Sequence, residues 1–157
     1  MKAAFVTGIE KVEIKEIDKP VISDPEVLIK TKTVGVCGSD LHLFRGTHPF
    51  RHAPAILGHE IAGDVVEIGS KVTNIKVGDR VTVEPQVGCG ECEMCKRGLV
   101  SLCSGKKVPG TPEWIGAFSE YFNADEKTVY KLADQTSYEM GTLAEPLAVA
   151  VHTVNHA

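Results

Sequence analysis

Four cysteines crowd into fifteen residues of this chain: Cys89, Cys92, Cys95 and, after a longer gap, Cys103. Two, two and then seven residues lie between successive thiols. Thiolates bind zinc, and a CxxC spacing lets one turn of backbone aim two sulfurs at the same ion. Four of them close a tetrahedron around Zn²⁺ at about 2.3 Å each. Lys96, Arg97, Lys106 and Lys107 surround the cluster and offset the negative charge of a tetrathiolate centre. Two other chemistries compete. An iron–sulfur cluster uses similar runs, but the bacterial ferredoxin pattern has three residues before its last Cys and a Pro after it. Here there are seven, and Ser104 follows. Disulfides need an oxidising compartment, which nothing in the sequence indicates. The spacing therefore predicts a structural zinc lobe over residues 88–105.

The fifth cysteine, Cys37, stands apart, and with it come His59-Glu60 and Glu145, each beside or near a Gly or Pro. A catalytic zinc takes three protein ligands from Cys, His and carboxylate and keeps a fourth position open. Cys37, His59 and one glutamate satisfy that count. A lone Cys is equally at home as a packed core residue, so spacing by itself leaves both readings open.

These residues must be positioned by strands. Ala3–Thr7 and Val12–Ile17 read as an opening hairpin, and Glu26–Val36, Ile61–Ile68, Arg80–Glu84, Ala117–Ala124 and Thr128–Leu132 as further short strands. Gly63 inside its strand predicts a bulge or a tight corner. Ser39-Asp40 reads as the N-cap of a helical turn through Leu41–Phe44. Residues 47–57, with Pro49 and Pro54, and the cysteine stretch read as loops. Many short strands with close turn signals predict a mainly β fold, a small barrel. From Ser137 the period becomes helical, with a break at Glu145 and Pro146 opening a second helix. That last helix, apolar on one side and uncapped at residue 157, is expected to leave an uncovered face.

At 157 residues, with 43% hydrophobic and 24% charged residues, the chain has an ordinary globular composition. A net charge of −4 offers no footprint for nucleic acid or an acidic membrane surface. No leader-like apolar run opens the chain, so its thiols are expected to be reduced in the cytoplasm.

In chain order, Gly35-Val36-Cys37-Gly38-Ser39-Asp40-Leu41-His42, Gly58-His59-Glu60-Ile61-Ala62-Gly63, Val77-Gly78-Asp79-Arg80-Val81, the four-cysteine lobe and Ala144-Glu145-Pro146-Leu147-Ala148-Val149 resemble the catalytic domain of the zinc-dependent medium-chain alcohol dehydrogenases. The Glu-Pro-Leu-Ala-Val element is most similar to the polyol (sorbitol-type) and butanediol branch. The resemblance spans essentially the whole chain. It implies a GroES-like barrel over residues 1–145 and, in 146–157, the start of a helix leading to a nucleotide-binding Rossmann domain. It implies two zincs, one structural and one catalytic, and zinc-alkoxide-assisted hydride transfer from an alcohol or polyol to NAD or NADP.

On the residues, the resemblance makes Cys37 and His59 catalytic-zinc ligands, with either Glu60 or Glu145 completing the resting set. Asp40 would hold the far N–H of His59, besides its capping role. Ser39 and His42 would relay the released proton to the surface. L-threonine and sugar-acid dehydrogenases share most of these motifs, and a zinc-stabilised module without chemistry remains a further reading. A homo-oligomer is implied for the longer protein. The sequence has no GxGxxG, so the 157 residues alone are expected to bind zinc without turning over substrate. Phe44, Phe50 and Trp114 suit core or pocket. Arg45, His48, Arg51 and His52 read as a solvated basic loop, with contact to a phosphorylated polyol as the alternative. His152 and His156, one turn apart without a third ligand, read as surface residues.

Overall fold

The computed structural model describes residues 1–157. Eight strands and four short helices follow in the order β1 (Lys2–Gly8), β2 (Lys11–Glu16), β3 (Glu26–Gly35), α1 (Gly38–Phe44), β4 (Ala55–Ile56), β5 (Glu60–Ile68), β6 (Arg80–Val83), α2 (Glu93–Lys96), β7 (Tyr121–Asp125), β8 (Val129–Lys131), α3 (Tyr138–Thr142) and α4 (Ala144–Asn155). All pairings are antiparallel, in a three-stranded sheet β2-β1-β4 and a five-stranded sheet β7-β3-β5-β6-β8. The mainly β architecture expected from the sequence is the one observed.

The larger sheet has to curl. Its two edge strands, β7 and β8, are consecutive in the chain and joined by the single 3₁₀ turn Glu126–Thr128. Four strand spacings of a flat sheet would part them by roughly 19 Å. Four Cα steps from Asp125 to Val129 reach at most about 15 Å. Curvature enters partly at Gly63, where Thr31 pairs with Gly63 but Thr33 with Ala62, leaving Lys32 as the extra residue of a bulge. The inner faces of this sheet bury Val27, Ile29, Ile61, Val65, Val81 and Phe122 around Trp114. Trp114 stacks on Phe122 at 5.5 Å, and its indole N–H donates to the Asn123 carbonyl at 2.7 Å. It is therefore core, not pocket wall.

Several local expectations need correction. Residues 117–120 do not extend β7. They cross to the other sheet, where the Phe118 carbonyl accepts from Ala4 N–H and the Lys2 carbonyl accepts from Glu120 N–H. The predicted loop 47–57 contains β4, made a strand only by pairing with Phe5 and Val6 far away in sequence. The cysteine stretch holds the one-turn helix α2, whose N-cap Cys92 accepts the Cys95 N–H. Asp40 is the third residue of α1, not its N-cap; its carboxylate reaches back to the N–H of the true cap, Cys37. The helix break falls at Leu143, so Glu145 and Pro146 both lie in the first turn of α4. A proline is tolerated there because first-turn N–H groups have no intrahelical acceptor.

The outer edge strand β2 is exposed along its whole length, and α4 buries none of its residues. No helix is long and apolar enough to cross a membrane.

Candidate metal centres and active-site cleft

The β3–β5 ladder builds the inner site. Gly35, the last residue of β3, pairs directly with Glu60, the first of β5. Cys37 lies two residues past the end of one strand and His59 one before the start of the other. Residues 22 positions apart in sequence thus become cross-strand neighbours. A ligand atom each from Cys37, His59 and Glu60 falls within 4.8 Å of the others. Gly35 is what lets the glutamate in: a Cβ there would stand 2.0 Å from Glu60 Oε2.

Asp40 locks this arrangement. It is 4% exposed. Its carboxylate accepts the Cys37 N–H at 3.0 Å and the Gly58 N–H at 3.3 Å, and faces His59 Nδ1 at 3.6 Å. One side chain therefore braces both ligand-bearing segments and leaves His59 Nε2 directed at the site. Burial works to raise the Asp40 pKa, but the His59 imidazole and the two backbone N–H groups outweigh it, and it lies below its ordinary value. Burial likewise works to lower His59, yet hydrogen bonding and charge from Asp40 and Cys37 push it up to about 9.

Glu145 is not among the three clustered donors. It faces the site from the first turn of α4, which turns at Leu143 out of α3; α3 is fastened to β3 by the Thr33 hydroxyl donating to the Tyr138 carbonyl at 3.0 Å. Its pKa is raised, first by burial; the His59 charge works against this, and the Glu60 and Asp40 charges add to it. Ser39 and His42 lie three residues apart on α1, Ser39 half-buried and His42 exposed with Nδ1 3.1 Å from the Thr47 hydroxyl. The pair thus spans the distance from interior to solvent on one helical face.

In the outer cluster the four sulfurs of Cys89, Cys92, Cys95 and Cys103 also lie within 4.8 Å of one another, and all are free thiols. Cys89 Sγ and Cys95 Sγ are 3.9 Å apart, close to the roughly 3.8 Å edge of a tetrahedron with 2.3 Å zinc–sulfur bonds and far from a disulfide bond of about 2.05 Å. The N–H groups of Cys89, Cys92 and Cys95 point at the sulfurs of Cys103, Cys89 and Cys92, at 3.5, 3.4 and 3.5 Å. The Cys92 N–H is the largest influence bringing the Cys89 thiol down to about 6. Cys95 is eased downward by the Gly90 N–H, but burial and the three neighbouring thiols carry it up to about 11. A Cβ on Gly88 would sit 2.7 Å from Cys95 Sγ, so only glycine lets the backbone pass so close. The donor set and spacing can bind zinc.

Beside His59 opens a cleft of about 310 Å³, lined also by His48, Phe50, Arg51 and Thr111. The loop that carries His48 and Arg51 is thus a wall of this cleft, a placement that spacing alone did not reveal. Phe50, 85% exposed, stands at its rim. A larger groove of about 950 Å³ runs between α4 and the cysteine lobe, and Glu145 lines it.

A curled antiparallel sheet with a Cys/His/carboxylate cluster at the end of one ladder and a four-cysteine lobe defines a class of domain with two candidate metal centres. The chain belongs to the alcohol dehydrogenase GroES-like domain family, whose model matches residues 23–134. It is 43% identical over 155 residues to sorbitol dehydrogenase of Bacillus subtilis, an alignment covering 97% of this chain and 44% of that protein. Its fold matches galactitol-1-phosphate dehydrogenase of Escherichia coli with a TM-score of 0.89 at 31% identity, over 97% of this chain and 44% of the other. It also matches the short chain alcohol dehydrogenase RspB of Escherichia coli CFT073, complexed with NADH, with a TM-score of 0.90 at 33% identity, over 99% and 45% of the two chains. The chain thus spans somewhat less than half the length of these relatives.

Proposed function

We propose that this chain is the catalytic domain of a zinc-dependent alcohol or polyol dehydrogenase that passes a hydride from a secondary alcohol to NAD or NADP. The observation that carries the reading is the inner trio, Cys37, His59 and Glu60, braced by Asp40. Three donors of these types are the protein share of an open catalytic zinc site, and the Cys89–Cys92–Cys95–Cys103 lobe is a closed structural one. The trio would hold a zinc ion, which would supply the Lewis acidity that lowers the pKa of a substrate hydroxyl toward neutrality. Glu145 is the alternative carboxylate for the same position, and burial is the first cause of its raised pKa.

The chain's own residues do the remaining work. Asp40 keeps a proton on His59 Nδ1 and so fixes the ring's tautomer and direction. The Ser39 hydroxyl accepts the proton released from the substrate hydroxyl as it gives up its own, and His42, its ring held by Thr47, is the acceptor at the solvent edge. The nicotinamide cofactor is the hydride acceptor.

Elemental analysis of the purified chain tests this. Two zinc ions per chain are expected, falling to one in a Cys37→Ser, His59→Ala variant. A double variant that keeps as much zinc as the parent would remove the basis for the catalytic assignment.

A further inference from the structure

The cleft beside His59 holds one permanent cation, Arg51, for which a neutral sugar alcohol has no counter-charge. Among its lining residues are His48, Arg51 and His59 and no carboxylate. Arg51 takes part in none of the ion pairs of the fold. It is half-buried and pinned, with Nη1 donating to the Pro109 carbonyl at 2.9 Å. A guanidinium has five N–H donors and no acceptor, so most of its capacity is unspent.

His48 next to it is locked as well. Its Nδ1 accepts the backbone N–H groups of Phe50 at 3.2 Å and Arg51 at 3.0 Å. With Nδ1 an acceptor, the ring proton of the neutral imidazole sits on Nε2. That Nε2–H faces Arg51 Nη2 at 3.4 Å. Two donors therefore stand side by side with no acceptor between them. The surroundings keep the ring neutral: burial, then the charges of Arg51, His42 and His52, hold the His48 pKa below its ordinary value. What the pair lacks is an anionic oxygen.

We propose that the substrate is a polyol bearing a carboxylate or a phosphate monoester, whose oxygen accepts from Arg51 and His48 Nε2 while a hydroxyl reaches the Cys37–His59–Glu60 site. This rests on the dehydrogenase reading and narrows its substrate class. The cleft volume is of the order that holds one small ligand, and a charge-assisted pair of this kind favours anion over neutral analogue by about ten- to a hundredfold.

Calorimetric titration of the zinc-loaded chain with D-sorbitol, D-gluconate and D-sorbitol 6-phosphate tests it, because the three share a carbon chain and differ at its end. At least one anion is expected to bind about tenfold or more tightly than sorbitol, and the stronger of the two identifies the group. Arg51→Met should abolish the preference and Arg51→Lys retain part of it. Should Arg51→Met fail to fold, His48→Asn, whose Oδ1 stands where Nδ1 accepts the Phe50 and Arg51 N–H groups but which lacks the Nε2 donor, is expected to lower the preference. Equal affinity for all three, no measurable binding of either anion, or a preference unchanged in a folded variant overturns the proposal. Zinc content measured on the same samples separates the two readings: two ions with no anion preference refute only the substrate class, and a missing inner ion refutes the dehydrogenase assignment.

Discussion

Replacing Asp40 by Asn changes almost no volume and isolates one carboxylate's contribution to the inner site. In the native chain each carboxylate oxygen meets N–H donors: Cys37 on one, Gly58 and His59 on the other. An amide presents one oxygen and one NH₂, so whichever way it turns, a donor confronts a donor. In the better orientation the Cys37 contact is lost and those from Gly58 and His59 become neutral. Such bonds contribute about 1.5–3 kcal/mol each, and a buried donor left without a partner costs a comparable amount. Asp40→Asn should therefore destabilise the metal-free chain by about 2–3 kcal/mol, read as a lower urea midpoint with an unchanged slope. For a chain of this size that corresponds to roughly 5–10 °C in melting temperature. With His59 no longer held from behind, zinc affinity at the inner site should drop by about ten- to a hundredfold, measured by competition with a chromophoric chelator. The outer four-cysteine site should be untouched. A variant that unfolds within about 0.5 kcal/mol of the parent, an ordinary surface effect, and keeps its inner affinity would refute the bracing role.

Two further outcomes follow from close contacts and charge. Gly35→Ala puts a Cβ 2.0 Å from Glu60 Oε2; the glutamate should be displaced and one zinc per chain lost with the outer ion retained, and metal content at parental levels would contradict this. Glu126 accepts the N–H groups of Thr73 at 2.7 Å, of Asn74, and of Ile75 at 3.2 Å, and its pKa is lowered chiefly by the Asn74 N–H. The folded state then binds fewer protons than the unfolded one between the two pKa values, so its contribution is full above the ordinary glutamate value and is lost as pH falls through the folded one. The stability gap between the parent and Glu126→Gln should be clear at pH 7 and shrink as the pH falls below the ordinary glutamate range; a gap independent of pH would show that the charge is not involved.

Much of this molecule was legible in advance because its chemistry is local. The thiols of Cys89, Cys92 and Cys95 follow at a fixed short spacing, and their types and intervals name the cluster before any coordinate does. The irregularity at Gly63 was equally readable, because a missing side chain lets the facing backbone come close, although the extra residue of the bulge, Lys32, lies on that facing strand. What failed is non-local. Ala55–Ile56 has no periodicity and is a strand only because Phe5 and Val6 lie beside it. Residues 117–120 look like the start of the strand that follows them, and only the hydrogen bonds to Lys2 and Ala4 show them crossing between sheets. Trp114 was ambiguous in sequence; its stack on Phe122 settles it as core. Arg51 and His48 read as a solvated loop because nothing in their spacing tells that the loop folds back over His59.

The smaller sheet also explains how the fold avoids unwanted company. Its two free margins are β2 and the two-residue β4, and unpaired strand margins invite other chains to continue the ladder. β4 is too brief to template anything. β2 is six residues long and fully exposed, with Val12 and Ile14 outward, but Lys11, Glu13, Lys15 and Glu16 alternate in charge between them, and Lys15 is paired to Glu13 at 3.2 Å. A stranger docking there would have to strip water from these charges, two of which are already paired with each other. The charges along β2 thus work against a foreign strand continuing the ladder there, a task for a stretch that contributes nothing to the core.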